Sequence, residues 1–109
     1  MPEILGSFEQ AVLVSVLHLR DDAYGRAILR DVEARLSRTV VAGAIYATLD
    51  RLEAKGLLAS RVEPGTLERG GRPRRFYVVQ AEGVRALERA RRTTKRIWSG
   101  VRWPLKAKP

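Results

Sequence analysis

The run from Val41 to Phe76, VAGAIYATLDRLEAKGLLASRVEPGTLERGGRPRRF, constrains the fold more than any other part of the chain. Its first half is periodic. Ile45, Leu49 and Leu52 recur at i, i+4 and i+7, which predicts an amphipathic helix over about Ala42–Lys55 with these three facing the core. Gly56 follows, a residue suited to the left-handed turn that ends a helix. Two strand-forming runs come next, Leu57–Glu63 and Arg74–Gln80, the second containing Phe76-Tyr77-Val78-Val79. Pro64-Gly65 and Gly70-Gly71-Arg72-Pro73 between them are turn material. The intervening loop is longer than the roughly two to five residues of most hairpin loops, and its tip carries arginines. Helix then arginine-tipped hairpin is the plan of a winged helix, whose usual partner is double-stranded DNA.

The flanking sequence extends this plan. Ser7-Phe8-Glu9-Gln10 has the form of a capping box and predicts a first helix from about Phe8 to Leu19. Asp21-Asp22 ends it and offers N-cap oxygens to a second helix over about Tyr24–Leu36. The connector to the third helix is short, which forces a steep crossing, as in a helix-turn-helix. Thr39-Val40-Val41 is β-branched and predicts a short edge strand. From Ala81 a helical period returns, with Val84, Leu87, Ala90, Thr94, Ile97 and Trp98 in a narrow stripe. Arg85, Arg89, Arg92, Lys95 and Arg96 fill the rest of that surface. Such a helix cannot bury its stripe on itself, so it docks on the first helix, on a partner chain, or on both. The fold class is therefore α+β, mostly α: a winged helix-turn-helix over residues 1–80, a C-terminal helix over 81–100 and a tail over 101–109.

Charge is distributed unevenly. Residues 1–60 hold seven Lys/Arg and eight Asp/Glu, whereas residues 61–109 hold fourteen and four. The excess begins at the hairpin, and a localised basic half is the footprint of a polyanion binder; its bland counterpart is a solvated surface. Other classes are weakly supported. The chain has no cysteine, which removes disulfides, thiol catalysis and Cys-ligated zinc and fits a reducing cytoplasm. His18 is the single histidine and reads as a surface or packing residue. No paired carboxylates and no phosphate loop are present, since no Gly-Lys-Ser/Thr follows Gly70-Gly71. An enzyme, a cofactor and a metal are accordingly not expected. MPEILGSFEQ lacks the basic start of a signal peptide, and Ala11–Leu17 is too short to span a membrane.

The segments FEQAVLVSVLHL, DDAYGRAILRDVEARL, GAIYATLDRLEAKGLL and ERGGRPRRFYVVQAEGVRAL together resemble the PadR-family transcriptional regulators, in one register from Leu5 to Leu87. The match is nearest to short members with one C-terminal helix. Its most specific pieces are Asp22-Ala23-Tyr24-Gly25, Gly43-Ala44-Ile45-Tyr46 with Leu49-Asp50-Arg51-Leu52-Glu53, and Arg69-Gly70-Gly71-Arg72 leading to Phe76-Tyr77. The resemblance implies a homodimeric repressor on a pseudo-palindromic operator. The C-terminal helix would supply dimerisation, and in several members a small aromatic effector relieves repression. Two positions depart from the family pattern. Val41 stands where Ser or Thr usually caps the third helix, a loss of roughly 1 kcal/mol, with Thr39 as the alternative cap if that helix starts early. Gln80 stands where Thr usually opens the last helix.

A recognition helix presents its N-terminal residues to the bases. Here these are Ala42, Gly43, Ala44 and Tyr46, with Ala47 and Asp50 one turn on. This surface has no bidentate donor before Arg51, so readout should rest on fit and shape more than on direct hydrogen bonds. Tyr46 bonds a phosphate, closes the helix corner against Tyr24, or does both. Arg51 either reaches a phosphate or pairs with Asp50 or Glu53. Arg69, Arg72, Arg74 and Arg75 suit phosphate oxygens and a narrow minor groove. On the last helix, Val84, Leu87, Ile97 and Trp98 are the dimer or effector residues. Trp98 is read as a dimer-core anchor or as a platform for a flat aromatic effector, and Trp103 as packing on the same helix or loose. A winged helix used for protein contact, or for RNA, is the alternative function.

Overall fold

Apolar spacing and turn chemistry produce four helices and one hairpin in the computed structural model, which describes residues 4–108. The elements are α1 (Ser7–Leu19), α2 (Gly25–Leu36), α3 (Ala42–Ala54), β1 (Leu58–Glu63), β2 (Arg74–Val79) and α4 (Ala81–Ile97). Met1–Glu3, which belong to the stretch weighed as a signal peptide, and Pro109 of the tail lie outside the described residues. Among the described residues, no helix is long and apolar enough to cross a membrane.

The core forms where the three N-terminal helices meet the hairpin. Val12 and Leu13 of α1, Ile28 and Val32 of α2, and Ile45, Leu49 and Leu52 of α3 are fully buried, and Leu58 and Tyr77 join them from the wing. The three apolar positions expected to turn α3 inward therefore do so. Its end also forms as expected. Gly56 takes φ 78°, Gly56 N–H donates to the Glu53 carbonyl, and Leu57 N–H donates to the Leu52 carbonyl, the paired bonds of a Schellman stop.

Helix starts differ more from expectation. The N-cap of α1 is Gly6, one residue before Ser7. The Glu9 carboxylate accepts the Gly6 N–H, and Gln10 donates to the Leu5 carbonyl rather than closing a box with Ser7. Asp21 and Asp22 are absorbed into a 3₁₀ turn over Arg20–Asp22, so the N-cap of α2 is Tyr24 and no side chain caps it. The N-cap of α3 is Val41, also without a side-chain bond, and Thr39 does not take over that role.

Thr39–Val41 forms no strand; Val40 N–H is instead taken by the Glu33 carboxylate at 2.9 Å. The strand-like addition to the sheet comes from Tyr24. It bridges Phe76 in antiparallel fashion, and Tyr77 N–H donates to the Ala23 carbonyl at 2.8 Å. β1 and β2 pair antiparallel from Leu58↔Val79 to Glu63↔Arg74.

α4 faces the core with Gly83, Ala86 and Ala90, a stripe of small residues that lets the helix approach closely. The longer side chains expected to dock lie to one side: Val84 is 38% exposed, Leu87 is half-buried and Ile97 is 70% exposed. Beyond α4 the chain turns at Gly100 and brings Trp103 onto Trp98, with ring centroids 5.1 Å apart. The radius of gyration is 16.7 Å, against about 13 Å for a compact chain of this length.

Candidate nucleic-acid interface

The wing tip is built before it is charged. Gly70 and Gly71 adopt successive left-handed conformations, and a 3₁₀ turn over Leu67–Arg69 precedes them. Gly71 N–H closes the tip onto the Thr66 carbonyl at 2.7 Å. Arg69 braces it by donating from Nη2 to the Pro64 carbonyl at 2.8 Å. A glycine-rich segment would otherwise carry a large entropic penalty on ordering; here the closed turn leaves Arg72 exposed at a defined position.

Between this wing and α3 lies a cleft of about 570 Å³ lined by Tyr24, Tyr46, Tyr77, Arg26, Arg69, Arg72, Arg74, Arg75, Asp50 and Glu68, with Gly25 and Pro73. Five arginines face two carboxylates, which makes the cleft cationic. Tyr46 projects into it from α3 and is half-exposed. Its ring rests on Gly25, where an added Cβ would lie 2.6 Å from Tyr46 Cε1, so Tyr46 closes the helix corner over that glycine. Tyr24 instead meets Phe76 edge-on at 5.8 Å, and the Arg74 guanidinium lies 3.9 Å over the Tyr24 ring. Arg75 donates to the Ser60 hydroxyl at 2.9 Å, and that hydroxyl donates to the Glu53 carboxylate, which ties the wing to α3. Burial pushes the Tyr77 hydroxyl above its ordinary value, so it stays protonated and available as a donor.

Of the expected contact residues, Tyr46, Asp50, Arg69, Arg72, Arg74 and Arg75 thus share one cleft. Ala42 and Gly43 are exposed on the first turn of α3. Ala44 and Ala47 border a second depression with Arg38, Thr39, Val41 and Arg51. Arg51 pairs with neither Asp50 nor Glu53. Its Nε lies 3.6 Å from the Glu9 carboxylate of α1, and Nη2 donates to Thr48. A helix-face argument restricted to α3 could not see that partner. Six residues of the cleft lining were not expected from the sequence as contacts: Tyr24, Gly25, Arg26, Glu68, Pro73 and Tyr77. Arg26 sits on the first turn of α2, and its only signal was its place two residues after Tyr24 in Asp22-Ala23-Tyr24-Gly25-Arg26. Arg38, on the connector to α3, was missed in the same way.

Away from the cleft, α1 and α4 form a groove of about 800 Å³ lined by Val14, Leu17, Val84, Leu87 and Thr94, with Gln10, Glu88, Arg91 and Lys95 at its edges. Val84 and Leu87 therefore share a surface, while Ile97 and Trp98 lie outside it. Where α1 meets α2, Asp31 of α2 accepts from Arg35 at 2.7 Å and pairs with His18 Nδ1 of α1 at 3.0 Å. Burial opposes the Asp31 charge, but the hydrogen bonds to Arg35 and His18 and the nearby Ser15 hydroxyl outweigh it and hold the carboxyl below its ordinary value.

A three-helix core, a third helix beside a two-stranded wing and a cationic cleft between them define a winged helix-turn-helix protein. Residues 13–89 match the Transcriptional regulator PadR-like family, and the chain belongs to that family. It is similar to the PadR family transcriptional regulator from Eggerthella lenta DSM 2243, at 32% identity and TM-score 0.65 over 83% of this chain and 76% of that one. It is also similar to a PadR family transcription regulator from Clostridium difficile R20291, at 26% identity and TM-score 0.62 over 84% and 95%. A PadR-like regulator from Bacillus cereus shares the fold, with TM-score 0.67 at 20% identity over 92% of each chain. No curated protein gives a significant match. At the level of the family the protein is a DNA-binding transcriptional regulator and not an enzyme.

Proposed function

We propose that the protein is a homodimeric repressor that binds a pseudo-palindromic operator, one half-site per protomer. The cationic cleft between α3 and the wing carries this reading. In it, Arg69, Arg72, Arg74 and Arg75 with Arg26 form the cationic wall that the DNA backbone meets. Ala42, Gly43, Ala44, Tyr46, Ala47 and Asp50 present the base-facing surface, and Arg51 flanks it. Small side chains there allow close approach, and discrimination by fit and DNA shape follows. The organisation is a winged helix over residues 1–80, a dimerisation helix over 81–100 and a tail over 101–109.

Two observations support dimerisation through α1 and α4. The groove between them leaves Val84 and Leu87 beside Val14 and Leu17 as a shared apolar strip. The chain is also more extended than a compact monomer of its length, because α4 projects. Ile97 and Trp98 would then lie at the distal end of the interface. A flat aromatic effector at Trp98 would have to take the stacking place that Trp103 fills.

The test has two parts. Footprinting on the DNA upstream of the gene should protect two half-sites about one helical turn apart, roughly 34 Å. Light scattering should give twice the chain mass, and Leu87→Glu should give monomers that protect at most one half-site. Equal affinity for duplex RNA and duplex DNA would favour the RNA-binding alternative. Absence of binding to either would favour the protein-contact alternative.

A further inference from the structure

Four side chains at the root of the wing form one ladder. The Arg61 guanidinium lies 5.2 Å from the Phe76 ring centroid, Phe76 meets Tyr24 at 5.8 Å with planes at 66°, and the Arg74 guanidinium lies 3.9 Å over Tyr24. The main chain runs parallel to it, through the Tyr24↔Phe76 bridge and the Tyr77-to-Ala23 hydrogen bond. Phe76 is buried and Tyr24 half-buried, so the ladder joins the wing to the start of α2 at a fixed angle. The remaining wing arginines are committed as well: Arg69 to the Pro64 carbonyl and Arg75 to Ser60. Among the described residues, Arg72 and Arg26 line the same cleft without a hydrogen bond, ion pair or ring contact of their own.

We infer that the cleft's arginines serve two different ends. Arg74 is a positioning residue that sets the wing through Tyr24, whereas Arg72 and Arg26, one from the wing and one from α2, are the phosphate-binding residues of the cleft. This rests on the operator-binding reading above. A guanidinium held 3.9 Å over a ring centroid is anchored by that ring, so removing it alters the wing angle before it alters the count of phosphate contacts. An uncommitted exposed guanidinium has all its donors to give.

The experiment is a salt titration of binding to a labelled duplex carrying the footprinted operator, with helix content checked by circular dichroism. Arg72→Ala and Arg26→Ala should each reduce the slope of log affinity against log salt by about 0.9, one phosphate contact apiece. Arg74→Ala should leave the slope unchanged and weaken binding about two- to fivefold at fixed salt. In a Tyr24→Leu background, Arg74→Ala should cost nothing further. Arg74→Lys keeps the charge but not the planar guanidinium, so it should behave as Arg74→Ala does; this variant serves if Tyr24→Leu does not fold. The inference is overturned if Arg74→Ala lowers the slope by a full contact, if Arg74→Lys restores wild-type binding, or if Arg72→Ala and Arg26→Ala leave the slope untouched. Failure of the unaltered chain to bind any duplex would overturn the operator reading and this inference together.

Discussion

Adding one methyl group at Gly83 should destabilise the protein, even though the position is helical. On helix propensity alone, Gly→Ala within a helix gains at most about 1 kcal/mol. At Gly83 the new Cβ would lie 2.7 Å from Val79 Cγ1 and well inside van der Waals contact with the Leu57 carbonyl oxygen. Val79 could turn, but the carbonyl cannot swing aside freely, because it accepts the Gln80 N–H at 2.9 Å. α4 must therefore shift off the wing root, and overpacking of this kind costs roughly 1–3 kcal/mol. Because the obstacle is backbone, the upper part of that range applies (about 2–3 kcal/mol); less a propensity gain of about 1 kcal/mol, net destabilisation is about 1–2 kcal/mol, a fall in melting temperature of roughly 5–15 °C for a domain of this size. Thermal melts by circular dichroism should be run at one fixed protein concentration, since dimerisation would itself shift the midpoint. Gly43→Ala is the internal control. Nothing lies within 4 Å of a Cβ there, so the same substitution should raise stability by at most about 1 kcal/mol while weakening operator binding at the base-facing surface. A Gly83→Ala melting temperature equal to or above that of the parent would show that α4 does not pack through this glycine, and the predicted clash would be wrong.

Val41 is 75% exposed and supplies no cap, so Val41→Ser should raise stability by about 0.5–1 kcal/mol, seen as a higher urea midpoint at unchanged m-value; a lower midpoint would show that the valine holds a contact that serine lacks. The Asp31 carboxyl is held below its ordinary value, so its contribution is complete above 3.8, begins to fade near there and is lost as pH falls through the lowered value. Asp31→Asn should therefore lose stability at neutral pH and show a shallower acid decline than the parent; identical acid profiles would remove Asp31 from the account. Ser60→Ala breaks the link from Arg75 to Glu53, and amide exchange should accelerate in β1 and β2 while α1 is unaffected.

What the sequence revealed, and what it hid, follow a physical division. Periodicity reports which side chains must leave water, so Ile45, Leu49 and Leu52 could be placed without coordinates, and the Gly56 stop is a local backbone requirement. Helix starts proved harder. Asp22 had the chemistry of a cap, yet the chain spends it in a 3₁₀ turn, because Ala23 and Tyr24 must reach the wing to bond with Tyr77 and Phe76. That requirement is non-local and leaves no mark near residue 22. The α4 stripe misled for a related reason. Ala90 is buried as the stripe predicts, but large apolar residues drew attention to Val84 and Leu87 while close packing also selected Gly83 and Ala86. In the candidate site, the sequence located the cations but not their obligations. Arg51 finds Glu9 across more than forty residues of chain, and Arg74 finds Tyr24 across fifty. Pairings of that kind depend on how elements cross, which no window of sequence contains.

The placement of the aromatic residues also gives the molecule two separate optical channels. All three tyrosines, Tyr24, Tyr46 and Tyr77, line the cleft, whereas both tryptophans, Trp98 and Trp103, stack on one another beyond the end of α4. Phenol absorbance and emission thus report on what enters between α3 and the wing, and indole emission reports on the far end of the chain. Occupancy of one end and rearrangement at the other can be followed in a single unlabelled sample.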